Sequence, residues 1–404
     1  MKPIFTPAEM LLPIGQDYTK WSVIACDQFS SEREYWDRVT SFVGQAPSTL
    51  KMVVPEAYLS SVSMQDASAS RNETMNRYLK EGILKPIEPS YIYVERTVTG
   101  GKIRRGLIGK LDLEAYDYLP GSLVPARASE RTVIERLPPR IQVRREAAIE
   151  MPHVLVLIDD EKKRAIEPLT DQKENLTVLY DFDLMEDGGH ITGYQVCGDK
   201  ADRVTEAIAA LGERAVSFVI GDGNHSLAAA KDCWRAIKAS LPEAEWEDHP
   251  ARFALVELCN VYDEGIEFEP IHRIAFHADP EALLSRLAKE AGDENGRELF
   301  YLYDGKEGSI RIRNESLGAF IGAIQTVLDA YAEETGAVID YIHDDASLRK
   351  LAEAERSLAL FMPLMDKGDL FCTVEKSGVF PKKSFSIGHA RDKRYYTECR
   401  KITK

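Results

Sequence analysis

The sequence predicts a mixed α+β protein in which helices flank mixed sheets. Apolar strands alternate with amphipathic helices from His153 onwards, a hairpin pattern surrounds Gly100-Gly101, and the last hundred residues repeat the mixture. The apolar fraction of 44% and the charged fraction of 29% are typical of a folded globular chain. A chain of 404 residues is long enough for two or three domains.

The first expected region is an α+β region over residues 1–150. Residues 21–26 predict a buried strand, and Ser31-Glu32-Arg33-Glu34 has the capping-box pattern that would open a helix to about Phe42. A second helix should end near Gly82, before the hairpin around Gly100-Gly101.

Residues 120–152 are rich in proline and arginine and lack clear periodicity. They predict either a long ordered loop over a site or a domain connection. Arg140 and Arg144 alternate here, which fits an anion clamp or an exposed strand face.

The second expected region is an α/β core over residues 151–295, and the third is an α+β region over residues 296–404. In the core, strands are expected at residues 154–158, 177–184, 191–197, 216–220, 253–258 and 266–276, and helices at 201–211, 227–239 and 280–291. In the third region, helices are expected near residues 317–333 and 346–360, and strands near 299–303, 309–313 and 370–375.

The net charge and the cysteine spacing indicate which partners and which cellular location to expect. The 66 acidic and 51 basic residues give a net charge of -15, which disfavours nucleic acids and anionic membranes as partners. No window approaches 18 apolar residues and no apolar leader follows Met1. The six scattered cysteines lack zinc spacing, so reduced thiols and a cytoplasmic location are expected, with oligomeric state and metal left open.

The clearest motif is Gly221-Asp222-Gly223-Asn224-His225-Ser226, between a predicted strand and a predicted helix. The first N–H groups of a helix lack intrahelical partners and favour a phosphate or carboxylate. Gly221 and Gly223 allow close approach of a ligand, Asn224 is a good N-cap, and His225 can donate a hydrogen bond or a proton. The same spacing also fits an ordinary tight turn with a solvent-facing histidine.

Other candidate residues stand at the ends of apolar runs or in basic loops. Asp222 would be costly beside a phosphate unless a metal, a hydroxyl or a cation balances it, and Asp27 fits either a general base or a turn cap. His272-Arg273 presents two donors at a strand end, and Lys383-Ser384 suits phosphate contact; surface salt bridges and solvated loops are the alternatives. Asp159-Asp160-Glu161 is expected to be a solvated turn.

The chain resembles the domain-of-unknown-function 1015 family over nearly its whole length. The resemblance is carried by residues 21–29, 221–226, 257–260, 270–273 and 383–388. The family's Asp-Gly-His-His-Arg motif is similar to the phosphate-binding turn of the ParB/sulfiredoxin-like superfamily, which includes nucleotide-binding partition proteins, sulfiredoxins and free-serine kinases. This resemblance implies a nucleotide-binding core and carries over to Asp222, Gly223 and His225.

The chain departs from that motif at two positions. Asn224 replaces the first histidine and Ser226 replaces the arginine, so the positive charge would have to come from Arg273 or Lys383.

Two functions follow as hypotheses. The first is a phosphotransferase that uses a nucleoside di- or triphosphate with Mg²⁺ and a small hydroxyl-bearing metabolite, for example a free amino acid such as serine. Gly221, Gly223, Asn224, Ser226, Lys383 and Ser384 would bind phosphate, His225, His272 and Arg273 would stabilise charge, and Asp27 or Asp222 would take the proton or hold Mg²⁺.

The second hypothesis is a non-catalytic nucleotide- or metabolite-binding regulator, which the altered motif at Ser226 favours. A third reading is a hydrolase that uses His225 with Asp222. The first hypothesis requires the segments around residues 27, 225, 272 and 383 to meet.

Overall fold

The structure, a computed structural model, describes residues 2–61, 63–151 and 153–404. The chain divides into two compact units. The first unit comprises Met1–Ala128, Thr132–Ile266 and Gly388–Lys404, and the second comprises Ser129–Arg131 and Glu267–Ile387. Each unit combines helices with a sheet, so the predicted mixed α+β class is confirmed.

Within the described residues, the first unit is built around a ten-stranded mixed sheet. Nine strands follow one another across it, in the order Thr177–Asp183, His190–Val196, Tyr91–Thr97, Ile103–Asp112, Phe253–Asn260, Leu155–Ile158, Phe218–Asp222, Ala126–Ala128 and Tyr116–Asp117. The tenth, Phe5–Thr6, pairs with Ile103–Asp112. The antiparallel pairing of Tyr91–Thr97 with Ile103–Asp112 confirms the predicted hairpin.

The centre of this sheet determines where the site forms. The apolar strand Leu155–Ile158 is buried throughout, runs parallel to Phe253–Asn260 and lies antiparallel to Phe218–Asp222. In this register Leu155 lies opposite Asp222. Residues 153–154 therefore lie beside the point where strand Phe218–Asp222 ends.

Helices cover the sheet of the first unit. The α-helices are Tyr18–Trp21, Arg33–Val43, Met64–Lys80, Leu137–Arg145, Asp199–Ala210 and Asn224–Lys238. Short 3₁₀ helices lie at Thr49–Met52, Glu56–Ser61, Thr99–Gly101, Leu113–Ala115, Ile134–Arg136, Glu167–Asn175, Leu211–Glu213, Glu243–Glu245, Pro250–Arg252 and Ala390–Asp392. Helix Asn224–Lys238 buries Leu227, Ala230 and Trp234, whose spacing places them on one face.

The segment Gly388–Lys404 returns to the first unit through short antiparallel ladders. Tyr395–Tyr396 pairs with Val23–Ile24, and Arg400–Lys401 pairs with Ile149–Glu150. A further ladder joins Leu11–Leu12 to Lys85–Pro86.

The second unit contains a five-stranded antiparallel sheet in the described residues. Its order is Lys306–Ile312, Gly292–Tyr303, Leu358–Phe361, His272–Phe276 and Val338–Ile342. A separate ladder joins Phe268–Pro270 to Phe385–Ile387. The helices of this unit are Pro280–Ala291, Leu317–Thr335, Asp345–Leu351 and Lys367–Ser377.

Several local predictions are wrong. Residues 370–375 lie in the helix Lys367–Ser377, where Leu370 and Val374 are four residues apart and both fully buried. The helix expected over residues 346–360 ends at Leu351, and strand Leu358–Phe361 follows. The expected capping box before Phe42 is absent, since Glu32 is the N-cap and makes no side-chain capping bond.

The segment 120–152 is not a loop throughout. It contains strand Ala126–Ala128, helix Leu137–Arg145 and strand Ile149–Glu150. Arg140 and Arg144 therefore lie one helical turn apart, and neither belongs to a strand.

The boundary expected after residue 150 separates strands that belong to one sheet. Ile103–Asp112 pairs with Phe253–Asn260 within the first unit.

The prediction of a solvated turn at Asp160 is wrong. Asp160 is only 2% exposed, and its carboxylate accepts hydrogen bonds from the N–H groups of Arg164 and Ala165.

All six cysteines are free thiols. Among the described residues, no helix has the length and apolar character needed to cross a membrane.

Candidate functional site

The glycine turn (residues 221–226) joins strand Phe218–Asp222 to helix Asn224–Lys238, as predicted. Gly221 is still part of the strand, and Gly223 has a left-handed backbone with φ +80°. A Cβ atom on Gly223 would lie 3.0 Å from the Cα of Val154, so the position requires glycine for two reasons. Gly223 is also the N-cap; the expected capping role of Asn224 is wrong, since Asn224 is the first helical residue.

Asp222 is balanced by a cation. Its Oδ1 accepts a hydrogen bond from the N–H of Gly223 at 2.9 Å, and its Oδ2 lies 3.3 Å from the Nζ of Lys393. Because Lys393 balances the charge of Asp222, the Asp222 carboxylate can lie close to a bound anion.

The beginning of helix Asn224–Lys238 has the geometry of an anion site. Its first three residues are Asn224, His225 and Ser226, and the N–H of Leu227 donates to the carbonyl of Gly223 at 3.0 Å. The N–H groups before Leu227 have no acceptor within the helix, and the dipole of a 15-residue helix adds positive potential there.

His225 is a neutral imidazole at neutral pH. Its Nε2 accepts a hydrogen bond from the N–H of Val133 at 3.2 Å, which places the proton on Nδ1. Burial, together with the positive charges of Arg140 and Arg136, lowers the pKa of His225 to about 4 against the opposing effect of Asp27. His225 can therefore donate a hydrogen bond but does not bring a positive charge.

Ser226 begins a chain of hydrogen-bonded side chains. Its Oγ lies 3.2 Å from the Nε2 of His153, whose Nδ1 lies 3.1 Å from the hydroxyl of Tyr396. The Tyr396 hydroxyl also donates to the Sγ of Cys26 at 3.2 Å. Burial raises the pKa of the Cys26 thiol to about 12, so this cysteine is not a thiolate nucleophile at neutral pH.

Asp27 lies next to this series of hydrogen-bonded side chains. Its Oδ2 is 3.9 Å from the Nε2 of His153, and its Oδ1 accepts a hydrogen bond from Gln28 at 3.2 Å. Burial by itself would raise the pKa of Asp27, but His153, Gln28 and Arg140 together lower it below the ordinary aspartate value. Asp27 is thus an ionised carboxylate that can accept a proton.

These groups border a cavity of about 190 Å³ in the first unit. Its polar lining includes Asp27, His153, Ser226 and Tyr396. The remaining wall is mainly apolar and includes Met52, Val53, Val54, Met75, Val143, Ala147, Ile149, Met151, Leu227, Ala229, Ala230, Ala254 and Leu255.

Arg140 brings the positive charge that the glycine turn lacks. It lines the cavity from helix Leu137–Arg145 and pairs with Glu56, which lines it as well. Burial raises the pKa of Glu56 despite this pairing. Arg140 is one of the two arginines that the sequence indicates as a possible anion clamp, and it lies on a helix.

The described residues offer few ligands for the Mg²⁺ that the phosphotransferase hypothesis includes. Within the described residues, no group of three or more histidine, cysteine, aspartate or glutamate side chains is placed to hold a metal ion. Mg²⁺ in phosphotransferases is held largely by substrate phosphates, with one or two carboxylates from the protein. Asp27 is a carboxylate of this kind at the cavity.

His272 and Arg273 lie in the second unit on strand His272–Phe276. The Nε2 of His272 is 2.7 Å from Asp345, and its Nδ1 accepts a hydrogen bond from the N–H of Met362 at 3.0 Å. Arg273 is fully buried, donates to the carbonyl of Ile271 and to Gln325, and lies over the ring of Tyr341.

Lys383 and Ser384 also belong to the second unit. Their N–H groups donate to the carboxylate of Glu130 at 3.2 and 3.0 Å, and the Nζ of Lys383 lies 4.8 Å from the centre of the Tyr341 ring. That these four residues of the second unit act with Asp27 and His225 stays a prediction.

The structure adds His153 and Tyr396 to the predicted site residues. The sequence places His153 directly before a buried strand and Tyr396 near the end of the chain, with no motif at either position. The only available indication was that His153 borders an apolar run, which it precedes, as Asp27 borders the run that it follows.

Fold and site together define a mixed α+β protein in which a glycine turn and a helix start lie beside a small cavity. The chain belongs to the family described as "Protein of unknown function (DUF1015)", which matches residues 12–331. This match confirms the family resemblance of the sequence. No curated protein matches the chain.

Three solved structures are similar over most of the chain. A free serine kinase in complex with AMP has 13% identity and a TM-score of 0.39, covering 71% of this chain and 92% of the kinase. A conserved hypothetical protein from Pyrococcus furiosus has 13% identity and a TM-score of 0.35, with coverages of 69% and 89%. SbnI with a C-terminal truncation, from Staphylococcus aureus, has 7% identity and a TM-score of 0.36, with coverages of 70% and 82%.

Proposed function

We propose that this protein is a nucleotide-dependent phosphotransferase that acts on the hydroxyl group of a small metabolite. One observation carries the proposal: His153 contacts both Ser226, at the anion-binding helix start, and the ionised Asp27. A phosphate and a proton acceptor can therefore be held at one cavity. This is the minimum that phosphoryl transfer to a hydroxyl requires.

In the proposed reaction, the acceptor oxygen attacks the terminal phosphorus of a nucleoside triphosphate. The bond from that phosphorus to the bridging oxygen breaks, and the nucleoside diphosphate leaves with the electron pair. The acceptor proton passes to Asp27, since Asp222 is already engaged by Lys393. The N–H groups at the helix start, Arg140 and the Nδ1–H of His225 stabilise the charge on the transferred group.

The roles of Asp27, at the cavity, and of His225, at the helix start beside it, follow from their protonation. Asp27 is ionised and serves as the base, whereas His225 is neutral and serves as a hydrogen-bond donor. His153 positions Asp27 and Ser226 relative to each other.

Replacement of Asp27 tests the proposal. Asp27→Asn keeps the shape of the side chain but removes the base, so we expect phosphoryl transfer to fall about 10²- to 10⁴-fold. Nucleotide binding should persist, measured as thermal stabilisation by ATP, ADP, CTP, GTP or inorganic phosphate with and without Mg²⁺. A nucleotide at 100 times its dissociation constant should add about 2.7 kcal/mol of stability.

Asp171→Asn, at an exposed position of the first unit, is the matched control and should change neither property. Stabilisation by a nucleotide without transfer to any hydroxyl compound would favour the alternative, a non-catalytic nucleotide-binding regulator. Absence of stabilisation by every nucleotide and by phosphate would refute both functions.

A further inference from the structure

The apolar wall of the cavity distinguishes it from a site for a fully polar metabolite. Leu227, Ala229 and Ala230 contribute from helix Asn224–Lys238, and Ala254 and Leu255 contribute from strand Phe253–Asn260. None of these five side chains is more than 3% exposed. A polar molecule that entered here would lose its hydration without gaining partners along this wall.

The polar groups of the cavity are already connected to one another. Ser226, His153 and Tyr396 form one hydrogen-bonded group, Asp27 lies 3.9 Å from the Nε2 of His153, and Arg144 pairs with Glu150 at 2.6 Å. A ligand therefore finds its polar contacts around Asp27 and at the ion pairs Glu56–Arg140 and Arg144–Glu150, and apolar contacts along the wall formed by helix Asn224–Lys238 and strand Phe253–Asn260.

Electrostatics place the acceptor next to Asp27, with the transferred phosphate at the helix start and Arg140. The ionised Asp27 repels phosphate groups but accepts a hydrogen bond from a hydroxyl. Among the described residues that line the cavity, the aromatic rings are those of His153 and Tyr396, which contact each other edge to face. The wall thus lacks a free flat ring on which a nucleobase could stack.

We infer that the acceptor is a hydroxyl compound with a compact apolar body, and this inference rests on the proposed phosphotransferase function. The cavity of about 190 Å³ is slightly larger than a cavity that holds benzene, so the apolar body has about six heavy atoms. The hydroxyl of this acceptor lies at Asp27, and its apolar body lies against Ala229 and Leu255. A small polar amino acid such as serine would leave this wall uncovered.

A series of primary alcohols with two to eight carbons, compared with serine and glycerol, tests this inference. Each alcohol is assayed as acceptor with ATP and Mg²⁺, and its binding is measured separately by thermal shift without nucleotide. Up to about six carbons, kcat/KM should rise roughly fourfold per methylene, the factor that corresponds to about 0.8 kcal/mol per buried CH₂.

Ala229→Leu adds three carbons to the wall and should shift the optimum to shorter alcohols while leaving stabilisation by nucleotide unchanged. Ala236→Leu, on the exposed side of the same helix, is the matched control and should leave the optimum in place. If the leucine variant does not fold, Ala229→Val makes a smaller addition to the wall and should shift the optimum in the same direction.

The two proposals fail in different ways. Transfer that is fastest with serine or glycerol, and independent of chain length, would overturn the apolar acceptor and leave the phosphotransferase intact. Binding of alcohols that depends on chain length and on Ala229, without transfer to any of them, would overturn the phosphotransferase but support an apolar hydroxyl ligand. Absence of any chain-length dependence in binding and in transfer would refute the inference.

Discussion

His225 shows how one side chain can be identified from the sequence while its chemical state cannot. The glycine turn marks His225 as a candidate for charge stabilisation, but its neutrality depends on burial and on Arg136 and Arg140, more than 80 positions earlier in the sequence. The N–H of Val133 fixes the tautomer in the same way. Such contacts arise only when the chain is folded.

The lowered pKa of His225 predicts a pH dependence of stability. Between pH 6.5 and about 4 the unfolded chain binds a proton at this residue that the folded chain does not, so His225 makes the fold less stable as the pH falls through this window. His225→Gln retains an acceptor for the N–H of Val133 but does not titrate. We expect urea unfolding of the variant to depend less on pH between 4 and 6.5 than unfolding of the wild type. His190→Gln, at an exposed histidine with a raised pKa, should not reproduce this flattening. Identical pH dependence of wild type and His225→Gln would contradict the assignment.

The predicted site residues differ in how well local sequence identifies them. Asp27, Gly223 and Ser226 stand at breaks in apolar runs, where chemistry is often concentrated, and all three lie near the cavity. His153 contacts Ser226 across 73 positions and Tyr396 across 243 positions. No local pattern contains such pairings, so sequence reasoning did not identify either His153 or Tyr396.

At the scale of elements, the strand–turn–helix junction around Gly223 was predictable because it depends on local chemistry. An apolar run, two glycines and a strong helix opening specify it, although the N-cap lies one residue earlier, the strand ends two residues later and the helix begins three residues earlier than predicted. The helix Lys367–Ser377 was missed because its aromatic and β-branched residues favour a strand when taken alone. Burial of Leu370 and Val374 on one face overrides that preference.

Gly223→Ala tests the junction. A Cβ atom at φ +80° is strained and would press against Val154, so we expect a loss of about 1–3 kcal/mol in the free energy of unfolding. Nucleotide-dependent stabilisation should weaken as well, because the helix start would shift. Gly212→Ala is the control, since its Cβ would meet its nearest neighbour at an ordinary 3.7 Å. Equal urea midpoints for the two variants would show that Gly223 is not required.

At the scale of the whole molecule, the first unit depends on a buried network of charges in Gly388–Lys404. Arg394 donates to Glu257 at 2.9 Å and to Glu398, and all three side chains are at most 4% exposed. Arg96 and Arg104 donate to backbone carbonyls of residues 391–393 from the hairpin of the large sheet. The sequence shows basic residues here, but it does not show that they are buried.

Arg394→Met should be severely destabilising because it leaves Glu257 and Glu398 buried without their common partner. We expect a loss of about 3–5 kcal/mol in the free energy of unfolding. Arg391→Met, in the same segment at a side chain that is 58% exposed, should cost less than about 1 kcal/mol. If chemical denaturation showed only a small loss in the free energy of unfolding for Arg394→Met, the buried charge network would not be needed for stability.

The position of Tyr396 in the chain has a consequence for biosynthesis. Tyr396 lines the cavity of the first unit, yet it is synthesised after residues 267–387, which form most of the second unit. A nascent chain that has emerged only as far as residue 387 therefore lacks Tyr396, the partner of the Nδ1 of His153, and Arg394, which donates to Glu257. Translation order thus delays completion of the cavity until the second unit has left the ribosome, and prematurely terminated chains carry the glycine turn without a complete cavity.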